Sequence, residues 1–133
     1  MGQYLYMGEH EISSKGLSFL AIDMIIDIEK MSKEQEDMLK MVSVKDNKYT
    51  ITKKGLAVLC MYADTIGEAW AKDKIQNDEY WSWKNFMTIS KDEYDKQTID
   101  KMREDIRFIY SFFTKILYEM ILKNKNVVKA YLE

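Results

Sequence analysis

Few side chains in this chain of 133 residues could carry out covalent or acid–base chemistry. His10 is the single histidine and Cys60 the single cysteine. They lie far apart along the chain, so the sequence gives no support for a Cys–His nucleophile pair. One histidine and one cysteine also cannot supply the ligands of a zinc site. We therefore predict no catalytic residue, no metal site and no cofactor.

The carboxylates and glycines do not change this prediction. Asp23 and Asp27, like Asp100 and Glu104, stand four residues apart and would share one helix face, a spacing that is typical of a solvated surface. The five glycines form neither a GxGxxG nor a GxxxxGK[ST] motif, so no loop is predicted to cradle phosphate. The sequence favours a protein that is not an enzyme.

Positive charge is concentrated in one stretch of a chain whose net charge is −2. Residues 38–56 contain one acid, Asp46, and five lysines that are our candidate nucleic-acid-binding residues: Lys40, Lys45, Lys48, Lys53 and Lys54. Lysines close together can neutralise neighbouring phosphates. The alternative is a hairpin whose lysines only keep its edge from pairing with other strands.

The pattern of residues 42–59 predicts a hairpin followed by a helix. Val42 and Val44 alternate with polar residues, Asp46 and Asn47 have turn chemistry, and Tyr49 alternates with Ile51. From Gly55 onward the apolar spacing becomes helical. The N-terminal pattern predicts a second, shorter hairpin with its turn at Gly8.

The remaining elements are predicted to be helical. We expect helices over residues 15–31, over 33–41 after a Ser32–Gln35 capping box, over 53–75 and over 91–123. The last carries a 3-4 apolar repeat: Ile99, Met102, Ile106, Ile109, Phe113, Ile116 and Met120. It would pack inside the domain or pair with a second copy as a homodimer. The lysine-rich tail is predicted to be a solvated helix end.

These elements predict a mainly α fold with a small antiparallel β-hairpin, in one domain over residues 1–133. Residues 12–59 would form one part and residues 60–133 a helical part with an aromatic loop at 77–90. The loop aromatics, Tyr80, Trp81, Trp83 and Phe86, would cover the core or bind a partner protein. The lone cysteine and the absence of an 18-residue apolar run predict a cytoplasmic protein without a membrane span.

The stretch KYTITKKGLAVL resembles the second wing strand of winged-helix DNA-binding domains of the MarR-like and PadR-like regulators. Those strands carry an aromatic residue, an aliphatic–Thr pair and a helix-starting glycine, which here are Tyr49, Ile51–Thr52 and Gly55. ISSKGLSFLAI also resembles the opening helix of such domains in phage replication proteins. The resemblance covers residues 12–59 and implies a winged-helix-like unit followed by a long C-terminal helix, with residues 33–41 as the recognition helix.

Two functions follow from these expectations. The first is a small DNA-binding transcription regulator of a phage or other mobile element that contacts duplex DNA with its lysine-rich hairpin. The second is an inhibitor or adaptor of the anti-CRISPR or anti-repressor kind that binds a host protein. Residues 12–22 also match residues 51–61 at an offset of 39, with five identities; coincidence and duplication of a hairpin–helix unit both account for this.

Overall fold

The computed structural model of the protein describes residues 4–34, 41–66 and 91–133. Strands β1 (Leu5–Met7) and β2 (His10–Ile12) precede helix α1 (Lys15–Glu34). Strands β3 (Val42–Lys45) and β4 (Lys48–Thr52) precede helix α2 (Lys53–Met61), which a π-helical turn, Tyr62–Ile66, continues. Helix α3 (Lys91–Leu122) leads into strand β5 (Val127–Leu132).

The five strands form one antiparallel sheet in the order β2-β1-β5-β4-β3. The prediction of a mainly α fold with a small hairpin is therefore wrong, and the fold is a mixed α+β. The lysine-rich hairpin is joined to the rest of the sheet, because β4 pairs with β5 from Tyr49 to Thr52. The strand predicted as a helix end, β5, satisfies the backbone groups that β1 and β4 would otherwise leave unpaired.

Both hairpins turn through two residues. Asp46 and Asn47 have φ angles of 53° and 63°, the left-handed pair that a type I′ turn requires and that Asp and Asn tolerate. The predicted turn at these two residues is confirmed. In the first hairpin Gly8 takes the positive φ, 61°.

The core lies between one face of the sheet and the three helices. Leu5, Met7, Ile51 and Ala130 contribute fully buried side chains from the sheet. The 3-4 repeat of α3 lines the other side through Met102, Ile106, Ile109, Phe113, Ile116 and Met120. This repeat packs within the chain, so homodimerisation through α3 stays a prediction for the rest of the helix surface.

Helix α1 continues through Ser32 to Glu34 and does not break where the capping box predicted. The hydroxyl of Ser32 instead accepts a hydrogen bond of 2.8 Å from the backbone N–H of Met41. The first two residues of the predicted recognition helix belong to α1, and residues 35–40 lie outside the described residues. Across the described ranges, no helix has the length and apolarity to cross a bilayer.

Candidate functional site

The face of the sheet that points away from the described helices, which we call the open face, carries the candidate site. Because side chains alternate along a strand, the residues between the core positions of each strand lie on this second face. None of those residues belongs to the buried core of the described chain. The register of the strands determines which of these side chains lie next to one another.

One row of side chains crosses all five strands. The register pairs Lys45 with Lys48, Tyr131 with Tyr6, and Tyr6 with Glu11. Because Tyr49 pairs with Ala130, Lys48 lies opposite Tyr131. The row therefore changes from basic at the β3 edge to aromatic in the centre and acidic at the β2 edge. At the usual strand spacing it is about 19 Å wide.

The centre of this row is held by ring contacts. The rings of Tyr6 and Tyr131 stack with centroids 5.5 Å apart and planes 20° apart. The ammonium group of Lys48 lies over the Tyr131 ring, 5.4 Å from its centroid, in the geometry of a cation–π contact. Tyr131 is thus flanked by Tyr6 from β1 and by Lys48 from β4.

A second, shorter row adds hydroxyl groups and a third lysine. Lys129 pairs with Thr50, which pairs with Ser43. Lys129 and Ser43 are exposed and Thr50 is half-buried. Three lysines, Lys45, Lys48 and Lys129, therefore share the β3–β4–β5 half of the face with two hydroxyl groups.

The acidic end of the face acts on Tyr6. Partial burial and the nearby negative charges of Glu11 and Glu133 raise the pKa of the Tyr6 hydroxyl. The phenol is therefore neutral at physiological pH. Glu11 lies at the β2 edge, so a polyanion would meet the strongest attraction over the lysines of β3, β4 and β5.

The structure separates the lysines that the sequence grouped. Lys45 and Lys48 lie together on the open face, whereas Lys53 and Lys54 begin α2 at the opposite end of β4. Lys40 lies outside the described residues. The predicted partner-binding aromatics Tyr80, Trp81, Trp83 and Phe86 also lie outside them, so the protein-binding alternative stays a prediction.

Sequence reasoning missed Tyr6, Tyr131 and Lys129 as members of a site. All three depend on β5, which was predicted to be part of a helix end. A signal was present, since VVKAYL alternates Val128, Ala130 and Leu132 against three other residues, and period-2 alternation is the pattern of a half-buried strand.

A second polar feature lies at the turn of the first hairpin. Nε2 of His10 is 2.5 Å from Oε2 of Glu119, and Nζ of Lys123 is 2.6 Å from Oε1 of the same carboxylate. These three side chains line a surface cavity of about 170 Å³ between the β1–β2 turn and the α3–β5 connection. Hydrogen bonds from Lys123 and then His10 lower the pKa of Glu119 to about 2.

This feature has the character of a structural link between elements. Both oxygens of Glu119 are occupied, by Lys123 and His10, so the carboxylate is a poor proton acceptor. Cys60 is buried elsewhere, where burial raises the pKa of its thiol and the Thr114 hydroxyl contacts its sulfur at 3.7 Å. In the described part of the chain, no group of three His, Cys, Asp or Glu side chains could hold a metal ion.

No protein-family model matches the chain, and neither the curated proteins nor the solved structures include a significant match.

Proposed function

We propose that this protein is a small, non-catalytic nucleic-acid-binding regulator that contacts phosphates with the open face of its sheet. The observation that carries the proposal is the placement of Lys45, Lys48 and Lys129 on one half of the face that the described helices leave uncovered, beside two stacked tyrosines. Duplex DNA is the partner that the winged-helix resemblance implies. The buried, reduced thiol of Cys60 suits a cytoplasmic setting.

The charge pattern supports a local contact in a protein that is acidic overall. Net charge is −2, so long-range attraction to a polyanion is absent and binding has to come from short-range contacts. The three lysines supply these contacts, while Glu11 disfavours phosphate at the β2 edge. We therefore expect moderate affinity that depends strongly on salt.

The test is fluorescence anisotropy with a labelled 20-nucleotide strand and with its duplex, at several salt concentrations. We expect binding to at least one probe at low salt. The slope of log K against log salt is negative. Replacing Lys45, Lys48 and Lys129 by Ala should make it less steep by about 2 to 3, because each lost phosphate contact removes roughly 0.7 to 0.9 from its magnitude.

The matched control removes the same charge from the opposite layer. Lys15, Lys30 and Lys33 are exposed on α1, so their replacement by Ala should leave the slope unchanged. Absence of binding to both probes at low salt would contradict the proposal. So would an equal loss in the α1 variant, since net charge alone would then explain the effect.

A further inference from the structure

Two tyrosine rings, Tyr6 and Tyr131, form a pair at the centre of the open face. Binding of phosphates by the lysines does not explain this pair. Tyr6 and Tyr131 are half-buried on the face that the described helices leave uncovered, with their rings nearly parallel. Because β1 and β4 flank β5, Tyr6 approaches the Tyr131 ring from one side and the ammonium group of Lys48 from the other. Among the described residues, the second side is therefore covered by the exposed side chain of Lys48.

We infer that this face binds single-stranded nucleic acid, with an unpaired base stacked on Tyr131 in the place that the Lys48 ammonium group occupies. Lys48 then moves to a phosphate beside Lys45. The inference rests on the proposed function and specifies its ligand as a strand whose bases are free to leave their own stack.

Replacing the Lys48 ammonium group by a stacked base on the Tyr131 ring is favourable in free energy. An exposed cation–π contact is worth about two- to fivefold in an equilibrium. Stacking of a base on an aromatic side chain is worth about 5- to 150-fold in affinity. Lys48 also gains a phosphate partner when it leaves the ring, so its displacement costs little.

The shape of the face favours a single strand over a duplex. A stacked base must expose its flat surface, which base pairing and stacking in a duplex conceal. The β3–β4 hairpin is part of the sheet through the pairing of β4 with β5, so it offers a flat face on which a single strand can lie.

Charge also fixes which tyrosine makes the contact. Glu11 lies beside Tyr6 in the row, and its charge acts on the Tyr6 hydroxyl, so a phosphate backbone avoids that edge. The strand runs over β3, β4 and β5, past Lys45, Lys48 and Lys129. Tyr131 contacts the base. Tyr6 is a positioning residue that packs against the side of the Tyr131 ring that faces away from the base.

The experiment uses a 12-nucleotide strand that contains 2-aminopurine, whose fluorescence falls when it stacks on an aromatic ring, and the duplex of the same sequence. We expect the wild-type protein to bind the single strand more tightly than the duplex and to quench the probe. Tyr131→Leu should weaken single-strand binding by about 5- to 150-fold and remove the quenching. Tyr131→Phe, which keeps the ring, should retain both.

Two controls separate the contact from an effect on folding. Tyr118→Leu changes a tyrosine that is 65% exposed on α3, and it should bind like the wild type. Thermal unfolding followed by circular dichroism identifies any loss of fold in Tyr131→Leu. If Tyr131→Leu does not fold, quenching of the probe by Tyr131→Phe still tests the stacking.

The outcomes distinguish this inference from the proposed function. Tighter binding of the duplex, absence of quenching by the wild type, or full affinity in folded Tyr131→Leu would overturn the inference. Lysine-dependent, salt-dependent binding would still support the proposed function in each of those cases. Absence of binding to either probe would overturn both.

Discussion

Gly55 and Gly16 occupy equivalent positions in the two hairpin–helix units but meet different surroundings. A Cβ atom on Gly55 would lie 2.2 Å from the carbonyl oxygen of Met41 and 2.8 Å from its carbonyl carbon. These are backbone atoms held in place, because Met41 O also accepts a 3.0 Å hydrogen bond from the backbone N–H of Thr52. A Cβ atom on Gly16 would have no neighbour within 4 Å.

We expect Gly55→Ala to destabilise the protein by about 1–3 kcal/mol or more, because the new methyl group has to push the backbone at Met41 aside. Gly16→Ala should instead be neutral or stabilising by roughly 0.4–1 kcal/mol, since Ala is the better helix former in open space. Urea denaturation of both variants measures the difference. Equal effects of the two changes would contradict the close approach at Gly55.

The two glycines also show which features of the structure the internal similarity at an offset of 39 residues could predict. The alignment correctly placed each glycine at the start of a helix, because a strand-to-helix junction has a local sequence pattern. It gave no information about Met41, whose approach to Gly55 depends on how the chain returns before β3. The shared glycine therefore reflects a steric requirement in one unit only.

Glu119 joins elements that are far apart in sequence. Its carboxylate, 30% exposed, connects His10 in the first hairpin with Lys123 just after α3. The link ties the β1–β2 turn to the end of the long helix, on either side of the cavity. Nothing in the sequence could pair residues 109 positions apart, since no periodicity spans such a distance.

The lowered pKa of Glu119 predicts how stability changes in acid. Because the folded-state pKa of about 2 is below the ordinary value of 4.5, the ionised group stabilises the fold above pH 4.5. That contribution is lost as the pH falls from about 4.5 to about 2. The stability difference between the wild type and Glu119→Gln should therefore shrink over this range, as measured by urea denaturation at several pH values.

A matched control for this pH dependence is available on the same helix. Glu104→Gln removes an exposed carboxylate from α3 without touching His10 or Lys123. We expect its difference from the wild type to vary less with pH between 5 and 2 than that of Glu119→Gln. A constant difference for Glu119→Gln across this range would contradict a stabilising role for the ionised carboxylate.

Local chemistry explains which elements the sequence could predict. The β3–β4 turn and the start of α2 were predictable because Asp46, Asn47 and Thr52 act within a few residues; the Thr52 hydroxyl accepts a 3.0 Å hydrogen bond from Gly55 N–H. Helix α3 ends at Leu122, one residue before the predicted end, and Asn124 follows its last turn with a φ of 53°. Strand β5 was missed because its six residues gain their partners from β1 and β4.

The whole molecule is assembled around that last strand. β5 separates the two hairpins, and it pairs with the first strand of one hairpin, β1, and the second strand of the other, β4. The two hairpin–helix units therefore meet β5 through non-equivalent strands. A simple repeat of one unit would present the same strand twice, so the sheet arrangement is not that of two identical halves.

Neighbouring residues of β5 test this arrangement because they face opposite layers. Ala130 is fully buried between Met7 and Tyr49 of the adjacent strands, whereas Lys129 is exposed on the open face. Ala130→Glu would place a carboxylate in the core at a cost of several kcal/mol. Lys129→Glu should change the free energy of unfolding by no more than about 0.5 kcal/mol.

We expect Ala130→Glu to abolish or severely weaken cooperative unfolding, because several kcal/mol is a large part of the 5–15 kcal/mol by which a domain of this kind is stable. Near-ultraviolet circular dichroism and urea denaturation of both variants make the measurement. Lys129→Glu should keep the wild-type fold while losing affinity for nucleic acid. Since the two changes introduce the same side chain one residue apart, a similar loss of stability in both would contradict the alternation that gives β5 one buried and one open face.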